Sequence, residues 1–199
     1  MKPIDRNEIL GLADYETIRE RFRSRVVAEK KRRRVQLGPN VSVLFENRDT
    51  VLLQIQEMLR TERITRPGAI QHEIDTYNEN LPGDDELSCT LMIEITDTAE
   101  RDAFLRGALG FENTVSLVVR GNRLPAREVA RDAGVADRTT AVHYLKFKLS
   151  ETIAEELRTV QRTSSVRPQV ELRVDHPMYV AITVLPPETV LELAEDLRT

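Results

Sequence analysis

Apolar and polar positions alternate most cleanly in residues 139–149, TTAVHYLKFKL. Ala141, His143, Leu145, Phe147 and Leu149 fall on one face, and Val142, Tyr144, Lys146 and Lys148 on the other. That is the period of a half-buried β-strand. The same period recurs in residues 41–46 (Val41, Val43, Phe45) and 87–95 (Leu87, Cys89, Leu91, Ile93, Ile95). It returns in residues 170–176 (Val170, Leu172, Val174, His176), which Pro177 terminates. Residues 114–119 and 179–185 also read as extended. Between these stretches the spacing lengthens to three and four. Tyr15, Ile18, Phe22 and Val26 form the seam of a helix over about 15–34, and Val51, Leu52, Ile55, Met58 and Leu59 mark a second to about 64. A third follows Pro67–Gly68 to about 80, with Ile70, Ile74 and Tyr77 on one side. Asp97 or Thr98, Ser150, and the pair Pro186–Pro187 open helices that run to about 109, 160 and 198. Residues 123–138 show neither period.

Strands with one apolar and one polar face favour antiparallel pairing. The order of elements therefore predicts an α+β fold: a mainly antiparallel sheet of about five or six strands with helices packed on it, preceded by an N-terminal helical segment. The length of 199 residues suits a single domain, helical over about 1–82 and sheet-containing over about 83–199. The second sheet face carries Leu44, Met92, Val118, Val142 and Tyr144. Cover by the N-terminal helices, or by a second subunit of a homo-oligomer, would explain them.

Composition narrows the function classes. The net charge of −4 restricts any nucleic-acid role to a local basic patch, of which Lys30–Arg34 (KKRRR) is the one candidate run. It sits where cations complement the end of a helix dipole, the plainer use of such a run. Residues 126–145 resemble a helix-turn-helix around Ala130 and Gly134–Val135, but the second helix would fall on the period-two stretch. With 5% aromatic residues and no tryptophan, a stacking platform for bases is disfavoured. The single cysteine, Cys89, excludes an intrachain disulfide and a four-thiolate metal site, and fits a reducing cytoplasm. No apolar run is long enough for a membrane span, and the opening MKPIDRNEIL lacks a signal-peptide core, so a cytoplasmic location is expected. His72 is expected at the surface.

Three residues carry candidate chemistry. His143 lies mid-strand on an apolar face, His176 ends another apolar face, and Glu62 falls within the arc of Val51, Ile55 and Met58 if that helix continues to about 64. A buried carboxylate needs a partner. Glu62, His143 and His176 converging would make a site for Fe, Mn or Zn; a His143–Glu62 ion pair is the plainer use of the same geometry. No nucleophile, cofactor or HExxH signature stands in the chain, which leans away from an enzyme.

Several segments resemble the bacterial domain of unknown function 3501 family. They are YETIRERFRSRVVAEKKRRRVQLGPNVSVLFEN, LLQIQEMLRTERI, IQHEIDTYNENLP, TAVHYLKFKL and DHPMYV…LPPETVLELAEDL, in that order along nearly the whole chain. The resemblance implies one full-length domain and no established activity. It also implies association with a protein partner of a redox or iron system, in peroxide or iron handling. The expectation is a non-catalytic accessory or partner-binding protein. A metal-binding protein using Glu62, His143 and His176 is the first alternative, and nucleic-acid binding through Lys30–Arg34 the second.

Overall fold

The computed structural model describes residues 1–129, 137–163 and 167–198. The strands, in chain order, are β1 (Arg34–Gln36), β2 (Val41–Phe45), β3 (Glu86–Ile93), β4 (Val115–Val119), β5 (Asn122–Pro125), β6 (Arg127–Glu128), β7 (Val142–Lys148), β8 (Val170–His176) and β9 (Tyr179–Val184). The α-helices are α1 (Leu12–Arg33), α2 (Arg48–Thr61), α3 (Pro67–Asn78), α4 (Thr98–Gly107), α5 (Glu151–Arg158) and α6 (Pro187–Asp196). The fold is α+β, with the strands in two antiparallel sheets, β1-β2-β3-β7-β6 and β5-β4-β8-β9.

The two sheets, where alternation alone pointed to one, arise from the segment that showed no period. Pro125 ends β5, the Ala126 N–H donates to Val115 O at 2.9 Å, and Arg127 and Glu128 then pair with Lys146 and Leu145 of β7. One bent stretch thus passes from one sheet to the other. At the far side the sheets meet again: the Tyr179 hydroxyl donates to Leu37 O at 2.7 Å and the Thr183 hydroxyl to Gln36 O at 2.9 Å. Gly38 permits this approach. Its φ is +74°, and a Cβ there would lie 2.4 Å from the Tyr179 hydroxyl oxygen.

The inward faces of both sheets, closed by α4, α5 and α6, form one large apolar cluster that includes Phe45, Leu91, Phe147, Leu117 and Leu172. Cys89 is buried within it, and burial pushes its thiol well above the ordinary range. A second cluster, from Ile4 and Ile9 to Ile55, Ile74 and Tyr77, holds α2, α3 and the N-terminal segment together. β1 and β2, from the first 82 residues, pair into the same sheet as β3. His72 is exposed, and the proposed helix-turn-helix turn at Gly134–Val135 lies outside the described residues.

Two local departures bear on function. α2 stops at Thr61. Arg63 takes φ +51°, the Ile64 N–H bonds back to Leu59 O at 2.9 Å, and the Arg63 N–H reaches Arg60 O at 3.3 Å. This is a left-handed helix stop of the Schellman type, built on arginine where glycine is usual. Secondly, three of the five cations of Lys30–Arg34 are engaged in ion pairs. Arg33 is 2% exposed and holds Asp196 through two hydrogen bonds of 2.6 and 2.7 Å, with Glu29 at 3.1 Å and Glu192 at 3.4 Å. Arg32 pairs with Glu192 and Arg34 with Glu94. The packing of α6 against the end of α1 buries Arg33 among carboxylates, while Lys31, Arg32 and Arg34 stay exposed.

Candidate metal centre

His143 is the second residue of β7 and opposes Leu91 of β3. Alternation sends its ring into the space between the sheets with those of Leu145 and Phe147, and it is 2% exposed. A buried imidazole needs hydrogen-bond partners at both nitrogens. Nδ1 lies 2.7 Å from Glu128 Oε1, and Nε2 lies 3.2 Å from the Thr139 hydroxyl. The register explains the first contact. Glu128 opposes Leu145 on the neighbouring β6, which makes it the diagonal neighbour of His143 on the same face. Thr139 is buried and anchored by its own N–H to Leu105 O at 2.9 Å.

The third participant comes from the turn after α4. Gly110 has φ +77° and lets the chain reverse into the 3-10 turn Phe111–Thr114. That turn stacks Phe111 on the His143 ring, centroids 6.3 Å apart and planes at 28°, and brings Glu112 alongside. One ligand atom each from Glu112, Glu128 and His143 lies within 4.8 Å of the others. Glu112 accepts a hydrogen bond from Asn113 Nδ2 at 2.6 Å. Among the described residues neither carboxylate forms an ion pair with a lysine or arginine. The cluster therefore holds two carboxylates against at most one imidazolium.

The structure places the three residues singled out by sequence in three different settings. His143 is at the centre of this cluster. His176 is also buried and also packs on Phe111, at 5.8 Å between centroids. Its nitrogens are committed, however: Nδ1 accepts the Met178 N–H at 3.1 Å, so Nε2–H donates to Leu109 O at 3.2 Å. That is a neutral imidazole with no lone pair left for an ion. Glu62 is exposed, as the residue that caps the C-terminus of α2. Its helical arc ends at Thr61 because Arg63 turns the chain, so it meets neither histidine, and His143 takes Glu128 as its carboxylate partner. Among the described residues the ligand atoms of Glu62, His143 and His176 do not gather into a group.

Sequence reasoning missed Glu112 and Glu128. Glu128 sits on a two-residue strand, too short for a period to show. Its signal was the antiparallel register with β7. Glu112 lies in a turn, where no periodicity applies; its only signal was Gly110 as a chain-reversal point.

Chemically, the arrangement has two uses. Thr139, His143 and Glu128 form a hydroxyl–imidazole–carboxylate relay for a proton. Alternatively, the two carboxylates and the Nδ1 lone pair offer three ligands to a divalent cation, with Nε2–H then donating to the Thr139 oxygen. The relay uses one carboxylate; a cation would engage both.

A family model described as Protein of unknown function (DUF3501) matches residues 3–197. A crystal structure described as a novel protein of unknown function from Burkholderia pseudomallei K96243 is similar at 32% identity. The match covers 98% of this chain and 100% of that one, with a TM-score of 0.88. No curated protein matches.

Proposed function

We propose that this chain, which belongs to the DUF3501 family of proteins of unknown function, is a metal-binding protein whose ion is held by Glu112, Glu128 and His143. The observation that carries the reading is the gathering of their ligand atoms within 4.8 Å, with no lysine or arginine paired to either carboxylate among the described residues. Ligand atoms bonded at about 2.0–2.2 Å to one ion lie roughly 3–4.4 Å from each other, so small side-chain adjustments close the site. One imidazole and two carboxylates suit Fe(II), Mn(II) or Zn(II), and three protein ligands leave positions for water. The neighbouring Thr139 hydroxyl fixes the ring's orientation, as an outer-shell acceptor does. Neither comparison bears on the redox or iron link that the family resemblance implied.

The test is elemental analysis of untagged protein, loaded anaerobically with Fe(II), Mn(II) and Zn(II) in turn. Near-stoichiometric metal in the wild type and in Glu62→Gln, lost in folded Glu128→Gln and Glu112→Gln, supports the reading. A wild type that retains none of the three metals sinks it.

A second reading, an accessory protein acting through a partner, is favoured by β9. Val180 is 71% exposed, and Ile182, Val184 and the preceding Met178 are each about half exposed on its outer face. Such a run of large apolar side chains on one strand face marks an interaction surface more often than an ordinary one.

A further inference from the structure

We propose that the cleft between the outer face of the first sheet and helices α1 and α2 binds a small zwitterion with an apolar body, of the aliphatic amino-acid class. The cleft has a volume of about 330 Å³, in the range of small-ligand sites. Its floor is laid by strand register. Arg34, Leu44, Thr90 and Tyr144 oppose one another across β1, β2, β3 and β7 in a single row, and Met92 and Val142 lie in the row beside it. Leu44, Met92 and Val142 make that floor apolar, and Val142 is still 41% exposed. The helices therefore roof this face without filling it.

The walls carry opposite charges that are not spent on each other. Lys30, from the last turn of α1, lines the cleft and forms no ion pair or hydrogen bond among the described residues. Beside it Arg34 engages Ser42 at 2.8 Å and the exposed Glu94 at 3.2 Å. Glu46, also lining the cleft, has both carboxylate oxygens fixed by neutral donors: Thr90 Oγ1 to Oε1 at 2.6 Å, and Thr50 Oγ1 to Oε2 at 2.5 Å. Two hydroxyls hold it in place and leave its charge unneutralised. A half-buried carboxylate with no cation paired to it among the described residues, and an ammonium with no anion paired to it there, in one apolar-floored hollow, are complementary to a ligand bearing both groups. The ligand's ammonium goes to Glu46, its carboxylate to Lys30, and its apolar side chain lies over Leu44, Met92 and Val142. This site is separate from the His143 cluster, which lies on the inward face of β7 while Val142 and Tyr144 point outward.

The proposal is tested by amide chemical-shift titration of the full-length protein with L-leucine, L-isoleucine, L-valine and L-methionine. 4-Methylpentanoate, which lacks the ammonium, and isoamylamine, which lacks the carboxylate, serve as controls. The expected result is saturable shifts in Leu44, Thr90, Met92 and Val142 with at least one amino acid. Both controls, and the variants Lys30→Met and Glu46→Gln, bind about tenfold more weakly or worse, as losing one charge-assisted hydrogen bond gives. Both variants alter cleft-lining side chains outside the apolar core, and unchanged spectra elsewhere confirm that they fold. No shift with any of the four amino acids overturns the proposal. So does 4-methylpentanoate binding as tightly as L-leucine, or shifts confined to residues outside the cleft.

Discussion

Two groups of carboxylates in this molecule differ in what closes them. Where α1 meets α6, Glu29, Glu192 and Asp196 surround Arg33, which is buried with both ends of its guanidinium engaged. Where β6 meets β7, Glu112 and Glu128 lie beside the imidazole of His143. The first group is complete as protein: removing charges from water is costly, and a fork of donors matched to carboxylates offsets that cost. Among the described residues the second has no lysine or arginine paired to it, although its central ring is just as buried. The contrast separates a charge cluster that holds helices together from one arranged to receive something.

The largest effect is expected at the closed cluster. Arg33→Met leaves buried carboxylates without their cation and should cost about 3–5 kcal/mol in urea unfolding. Removing Asp196 as well (Arg33→Met with Asp196→Leu) should recover part of that loss, and an additive loss would show that the two do not act as a pair. Next comes the open cluster. Mn(II) or Zn(II) at a hundredfold over its dissociation constant should stabilise the wild type by about 2.7 kcal/mol, and Glu128→Gln should abolish the gain. Stabilisation that survives Glu128→Gln would place the ion elsewhere.

A smaller effect, outside both clusters, depends on pH. The Arg19 guanidinium of α1, aided by the Tyr15 hydroxyl and opposed by burial, holds the Glu57 carboxyl of α2 down to about 2. A folded value below the unfolded one means stabilisation that is complete above the ordinary carboxylate value and lost as pH falls towards about 2. Glu57→Gln should flatten that acid limb of the stability curve; an unchanged limb would show that other carboxylates set it. The smallest effect is expected on the outer face of β9. Ile182→Asp should change stability by no more than about 0.5 kcal/mol, because the side chain is already half exposed. A larger loss would mean that the strand is covered in the native assembly.

The sequence exposed the fold through its alternation. β3, β7 and β8, and the inward direction of His143 and His176, follow from a period of two that burial enforces. What it concealed depends on chain reversals and contacts far apart in sequence. Glu62 looked core-facing because a helical wheel assumes that the helix continues, and an arginine in the left-handed region carries no composition cue. Arg33 reads as one cation in a basic run because two of its three carboxylates, Glu192 and Asp196, come from the far end of the described chain. Glu128 was invisible because two residues cannot display a period, although its register with β7 follows directly once the strand is recognised.

The bond between Arg33 and Asp196 also has a consequence for the order in which the molecule is made. During synthesis α1 leaves the ribosome long before α6, and until the last helix arrives the guanidinium must stay hydrated. The end of α1 gains Asp196 as its partner only once α6 has docked, so the two helices, far apart in sequence, become fixed together.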